Sequence, residues 1–176
     1  GRALRVAHAW SLSFDASWQP LVGLLGGQSV HLFSADAMRD AEAIIDGIRR
    51  HRLDMIDTSP SMFTQLFDAG LLDAGSDHRL TVLALGGEAI APHTWARLRA
   101  APSTAVHNCY GPTETTVEAV VADVADTDVP VIGEAVRGMI AHVLDSALRE
   151  VPDGVAGELY LAGAQVTRGY LGRAGA

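Results

Sequence analysis

The stretch Asn108-Cys109-Tyr110-Gly111-Pro112-Thr113-Glu114-Thr115-Thr116 brings stacking, hydroxyl and carboxylate groups together in one short segment. Tyr110 offers a flat face for stacking. Thr113 offers a hydroxyl to a phosphate oxygen, and Glu114 a carboxylate suited to Mg²⁺, which prefers hard oxygen ligands. Gly111-Pro112 makes the segment a polar turn. Before it, Ser103 to His107 carries the β-branched Thr104 and Val106 and reads as a short strand; after it, Val117 to Val121 reads as another. Such a turn belongs at the carboxyl edge of an α/β sheet, where strand ends face a crevice.

The elements that must position this turn follow from hydrophobic period. Val6 to Ser13 is small and apolar, strand or loop, and Asp15 or Ser17 can cap a helix whose first turn holds Pro20 and which ends at Gly26-Gly27. Ser29 to Ser34 alternates like a strand. Ala37 to Arg52 has helical period, with Met38, Ala41, Ile44, Ile45 and Ile48 on one stripe. Leu53 to Thr58 reads as a strand, and Ser59-Pro60 opens a helix carrying Met62, Phe63, Leu66 and Phe67. The run Leu80 to Leu85 is continuously apolar, as a central parallel strand requires, and Gly86-Gly87-Glu88 follows at its end. A short helix begins near Pro92 and ends at Arg99-Ala100. Strands alternating with helices at this spacing mean βαβ units. From Val129 the texture changes: Ile132-Gly133, Ile140 to Leu144 and Glu158 to Ala162 read as short strands broken by Gly and Asp. The expected fold class is α/β: a parallel-sheet αβ subdomain with helices on both faces over 1–128, then part of a small β subdomain over 129–176.

Composition bounds the rest. A chain of 176 residues can bury a normal single core, and 48% hydrophobic residues with ordinary charge fit a globular protein. No apolar run is long enough to span a bilayer, and one cysteine fits a reducing, cytoplasmic setting. A net charge of −8 argues against nucleic acid or an anionic membrane as partner. All 13 cationic residues are Arg, so no Lys-dependent chemistry is hosted here. The seven His residues show no ligand spacing.

The string N-C-Y-G-P-T-E resembles the N-x-Y-G-P-T-E signature of the amino-acid adenylation domains of nonribosomal peptide synthetases, in the ANL adenylate-forming superfamily. Phe14-Asp15-Ala16-Ser17 is similar to that family's F-D-x-S, and Gly86-Gly87-Glu88-Ala89 to its G-G-E-A element. Gly157 to Gly163 and Val166 to Leu171 resemble its G-E-L and G-Y-L run. Two departures stand out: Ile132-Gly133-Glu134-Ala135 replaces the usual I-G-x-P, and Met139 sits where the family is usually polar. The family's upstream phosphate loop, its downstream ribose-binding Asp and its catalytic Lys have no counterpart here. The resemblance therefore implies an internal segment rather than a complete enzyme, and the abrupt ends at Gly1 and Ala176 suit excision.

The resemblance implies ATP-dependent activation of an amino acid to an aminoacyl adenylate, then transfer to the 4′-phosphopantetheine thiol of a carrier protein. On matching positions, Glu114 would hold Mg²⁺ and Thr113 would contact the phosphates. Tyr110 would lie against adenine, with Asn108, Gly86, Gly87 and Glu88 at its edge, and Asp15 would pair with the α-ammonium. The side-chain pocket would be Ala16, Gln19, Asp57, Ala84, Gly86, Cys109, Val117 and Glu118, with Cys109 as wall rather than nucleophile. Two acids and an amide among small residues favour a cationic side chain (arginine, ornithine or lysine), or else a glutamine-like one. Implied partners are the rest of the adenylation domain, the carrier protein, a condensation domain and an MbtH-like helper; cut strand edges could also cause dimerisation. Two other readings compete: a non-catalytic binding module on the same fold, and another adenylate-former such as an acyl-CoA ligase. Asp15 argues against the last, because a fatty acid offers no ammonium.

Overall fold

The computed structural model describes residues 2–73, 77–101 and 103–173. Both chain ends, Gly1 and Ala176, lie outside the described residues. The main sheet takes β1 (Arg5–His8), β2 (Ser29–Leu32), β3 (Met55–Thr58), β4 (Val82–Gly86), β5 (Ala105–Tyr110), β6 (Val120–Asp123) and β7 (Glu134–Ala135). Their order is β2-β1-β3-β4-β5-β6-β7, parallel from β2 to β5 and antiparallel from β5 to β7. The helices are α1 (Trp18–Val22), α2 (Ala41–His51), α3 (Pro60–Asp68) and α4 (Pro92–Arg99). A second sheet pairs β8 (Met139–Leu144) with β9 (Glu158–Gly163).

The chain leaves β1 for β2 in one direction, then builds β3, β4 and β5 in the other, so the strand order reverses between β1 and β3. Right-handed crossovers then set α1 on one face and α2, α3 and α4 on the other. The helix-rich face holds the core: Ile44, Ile48, Phe63, Leu66, Trp95 and Leu98 pack on Ala7, Ile56, Leu83, Leu85 and Val106. Because side chains alternate along a strand, the residues between these point to the α1 face. Those residues include Asp57, Ala84, Gly86 and Cys109. The core pattern thus selects which side chains reach the crevice at the reversal, where open α/β sheets bind ligands.

Several boundaries differ from the pattern-based expectation. Strand β5 runs on through Tyr110, so the first three residues of the Asn108–Thr116 stretch are strand rather than turn. The strand expected over Val117 to Val121 begins only at Val120, because Thr116 (φ 59°) and Val117 (φ 73°) take left-handed backbone. The long helix expected over Ala37 to Arg52 is broken at Asp40, whose extended backbone separates a single turn (Ala37–Arg39) from α2. Asp40 then caps α2, accepting from the Glu42 and Ala43 amides, which an extended cap position favours over helix. Ile132-Gly133 is not a strand; β7 starts at Glu134. That strand lies past the expected division after residue 128, yet it pairs with β6 in the main sheet. Met139 is buried and joins the two sheets by packing with Ala119 and Val120, which accounts for an apolar residue there.

β1 is tied to the sheet by a buried carboxylate. Asp54 accepts from the Arg5 amide and from the guanidinium groups of Arg2 and Arg5. Burial pushes its carboxyl up, but these bonds prevail and hold it well below the usual carboxylate range.

Candidate functional site

Of the cavities among the described residues, two at the carboxyl ends of the strands gather most of the residues singled out above. The first, about 200 Å³, is walled by Trp10, Phe14, Asp15, Ala16 and Gln19 from the β1–α1 connection and α1, and by Asp57, Gly86, Gly87 and Cys109 from the sheet. Gly111, Pro112, Thr113, Val117 and Glu118 close it from the β5–β6 loop. That volume falls below the roughly 300–1,000 Å³ of sites for drug-sized ligands and suits a smaller one. The second, about 340 Å³, is lined by Gly87, Glu88, Ala89, Asn108, Cys109, Tyr110, Gly111 and Ile132. Gly87, Cys109 and Gly111 border both cavities.

Most residues singled out in the sequence therefore converge. Asp15, Ala16, Gln19, Asp57, Gly86, Cys109, Val117 and Glu118 share the first cavity with Thr113; Asn108, Tyr110, Gly87 and Glu88 share the second. Ala84 is the exception: it is buried one pleat below, beside Asp57 in register, and lines neither. Glu114 also stands outside both, on the same rim. Its neighbour Thr113 donates a 2.5 Å hydrogen bond from Oγ1 to Asp15 Oδ2, so the acids at 15 and 114 meet at one edge.

Asp15 has a second partner, the Ala16 amide, at 2.8 Å. A carboxylate accepts about four hydrogen bonds, so room remains for an ammonium donor. Tyr110 is 40% exposed, which leaves its ring available for stacking. Gly87 has φ +81°, a backbone that side chains rarely adopt, and this lets the chain turn flat along the second cavity. Glu88 does not project freely: its carboxylate accepts from the Ser61 amide and hydroxyl and so caps the start of α3. Asn108 donates to the Val131 carbonyl at 2.7 Å, which ties the β6–β7 connection to the cavity wall.

The floor of the first cavity is acidic. Asp57, only 3% exposed, is pushed up to about 8 by burial first and then by the Glu118 charge, against a hydrogen bond from Trp10. The Cys109 thiol is pushed far above its ordinary range by burial first, then by the nearby carboxylates of Glu118 and Asp57. A thiol so held is a wall and not a nucleophile. Among the described residues no arginine lines the cavity. At the rim, Tyr170 donates from its hydroxyl to Glu114 Oε1 at 2.8 Å and holds that carboxyl below its usual range. An ionised, exposed carboxylate fits a hard divalent cation. Among the described residues no group of three His, Cys, Asp or Glu could hold a metal, so Mg²⁺ at Glu114 would take its other ligands from phosphate and water.

Trp10, expected from the sequence as core or pocket floor, enters the cavity by donating to Asp57 at 3.0 Å. Pattern reading missed two further contributors. Gln165 donates to the Glu118 carbonyl and accepts from Thr116 Oγ1, clamping the left-handed Thr116-Val117 pair. Tyr170 reaches Glu114 across 56 positions of chain. Only the left-handed pair is a local signal in the structure, and two β-branched residues in sequence gave no hint of it.

An open α/β sheet with cavities at its strand ends, where the strand order reverses, has the architecture of a ligand-binding α/β protein. A family model described as "AMP-binding enzyme" matches residues 2–171, and the chain belongs to that family. It is 39% identical to vanchrobactin synthetase VabF of Vibrio anguillarum over 96% of its own length and 6% of that protein. It is 37% identical to AMB antimetabolite synthetase AmbE of Pseudomonas aeruginosa (99% and 8%) and 39% identical to a plipastatin synthase of Bacillus subtilis (93% and 7%). The chain thus spans less than a tenth of these relatives. Among solved structures it superposes on holo-AB3403, a four-domain nonribosomal peptide synthetase bound to AMP and glycine. The TM-score is 0.86 and the identity 26%, covering 97% of this chain and 13% of that one. PA1221, a nonribosomal peptide synthetase protein with adenylation and carrier domains, gives 0.85 and 28%, covering 97% and 35%.

Proposed function

We propose that this chain is the substrate-gripping segment of an amino-acid adenylation domain in a nonribosomal peptide synthetase. The observation that carries the reading is the pair of abutting cavities with Asp15 and Thr113 bonded at their rim. The smaller cavity takes the amino-acid side chain, and Asp15 takes the α-ammonium. The larger takes adenine, with Tyr110 as its stacking face and Asn108, Gly87 and Glu88 as its edge, while Gly86, also expected there, lies on the wall of the smaller. The carboxylate between them attacks the α-phosphorus of ATP, and the bond to the β-phosphate bridging oxygen breaks, releasing pyrophosphate. Thr113 contacts the phosphates; Mg²⁺ held at Glu114 supplies charge neutralisation when bound. Such catalysis is chiefly positioning plus electrostatics. The acyl group then passes to a carrier-protein phosphopantetheine thiol, with a condensation domain beyond it and an MbtH-like helper as a further partner, in the cytoplasm.

We assign the side-chain cavity to a cationic amino acid: arginine, ornithine or lysine. Asp57 and Glu118 face it without an arginine to neutralise them. With Asp57 near 8, ionising it at pH 7 costs about 1.4 kcal/mol. A charged hydrogen bond, worth about 1.5–3 kcal/mol, offsets that. A second reading has its own observation: protonated Asp57 is a donor and Gln19 lines the same wall, which suits a glutamine-like amide. ATP–pyrophosphate exchange across an amino-acid panel tests both, with residues 2–171 set in the frame of a whole adenylation domain. Exchange should be strongest with cationic or amide side chains. Preference for a large aromatic or aliphatic acid refutes the assignment.

A further inference from the structure

Trp10 lies just beyond β1, and Asp57 lies on β3, the neighbouring strand across the reversal in strand order. The indole N–H donates to Asp57 Oδ2 at 3.0 Å. Its ring stacks on Phe14, with centroids 6.2 Å apart and planes within 9°, so the indole is braced by a second aromatic of the cavity wall. We propose that Trp10 is a specificity-determining positioning residue: it fixes one oxygen of Asp57 and leaves the other as the group that reads the ligand's side chain. This rests on the cavity being an amino-acid side-chain pocket.

The argument turns on what an indole can do. It donates and never accepts. Asp57 Oδ2 must therefore act as acceptor, and any proton on this carboxyl sits on Oδ1. The oxygen left for the ligand is thus a donor when Asp57 is neutral and an acceptor when it is ionised. Without Trp10 the two oxygens become equivalent, and the carboxyl can turn its proton away from the ligand. The other groups around Asp57 do not supply this bias. Glu118 contributes repulsion; Asp15 is tied to Thr113 and the Ala16 amide; Gln19 is uncharged. His8, buried on β1, directs Nε2 to the Ser17 carbonyl. The burial that keeps Asp57 protonated near neutrality makes the placement of its proton matter over the working pH range.

The test is Trp10→Phe, which keeps a ring against Phe14 and removes the donor, in the whole adenylation-domain frame. Exchange is measured with arginine and with glutamine from pH 6.5 to 9. A hydrogen bond to a charged group sets the scale, so kcat/KM for the preferred amino acid should fall about tenfold or more. The fall should come through its KM, with the KM for ATP unchanged. The arginine-to-glutamine ratio should lose its pH dependence, and the same change in an Asp57→Asn background should cost less than about threefold. An unaltered ratio and pH profile in Trp10→Phe overturns the proposal, as does an equal loss for all amino acids that adds fully to Asp57→Asn. Should Trp10→Phe fail to fold, the unaltered chain decides by NMR. Its three indole N–H signals can be assigned by Trp18→Phe, since Trp18 is exposed, and by the bond from Trp95 to the Thr127 carbonyl. A Trp10 signal that titrates near pH 8 and moves with added amino acid supports the proposal; one that does neither overturns it. If no amino acid drives exchange in the unaltered protein, the functional reading fails instead, and the pH titration of the Trp10 signal still decides whether Trp10 holds Asp57.

Discussion

Asp57 sets the behaviour of the site at the level of single residues. Its carboxyl is raised from the usual value of 3.8 to about 8, so between those pH values the folded protein keeps a proton that the unfolded chain has released. Stability from this group is full below pH 4, declines as pH rises toward 8, and is level above. Asp57→Asn removes that penalty. It should stabilise the protein at pH 8 by an amount on the order of a few kcal/mol and by little at pH 4, while lowering selection for a cationic amino acid. Thermal unfolding of both proteins at the two pH values checks this, and equal shifts at pH 4 and 8 contradict it. Asp54 shows the reverse case: ion pairing with Arg2 and Arg5 holds it ionised, and its contribution is lost only as pH falls below about 4.

At the level of elements, the decisive feature is the β5–β6 loop. Thr116 and Val117 are both left-handed, a conformation costing about 1–3 kcal/mol for such residues. The strain is held by Gln165 from the β9 side and by the Thr167 amide, which donates to the Glu114 carbonyl. Gly111 makes the fold-back possible, because a Cβ there would stand 2.4 Å from the Val117 carbonyl oxygen and 2.8 Å from the Ala119 amide. Those neighbours are backbone and cannot swing away. Gly111→Ala should therefore cost about 2 kcal/mol or more and close the Val117–Glu118 wall onto the cavity. Unfolding in denaturant and amino-acid titration check the two parts. An unchanged midpoint would mean that the loop shifts without cost.

For the whole molecule, the open edges and bare apolar surfaces matter most. Strand β2 ends the main sheet, and β8 and β9 pair only with each other among the named strands. Trp18, Val22, Leu24 and Leu25 on and after α1 are exposed, Trp18 by 65%. Unpaired edges beside apolar patches favour association. The chain expressed alone should show a concentration-dependent rise in mass by sedimentation, reduced by Leu25→Lys; a monomer at all concentrations would contradict this. No helix among the described residues is long and apolar enough to cross a membrane.

Hydrophobic period and turn residues were enough to set the alternation of strands and helices and the crevice at the strand ends, whereas the residues expected to line it came from the resemblance to the adenylation-domain motifs. Period and turn residues suffice because strand period sends Asp57, Gly86 and Cys109 to one face whenever Ile56, Leu85 and Asn108 take the other, and because Gly-Gly and Gly-Pro mark strand ends locally. Only the packed molecule establishes that Trp10 holds Asp57, that Glu88 caps α3, that Gln165 clamps a strained loop and that Ala84 sits below the cavity. These depend on contacts spanning 27 to 47 positions or on the depth of a pleat. Local pattern carries no information about such contacts, since their energy exists only once distant strands have paired and water has been excluded between them.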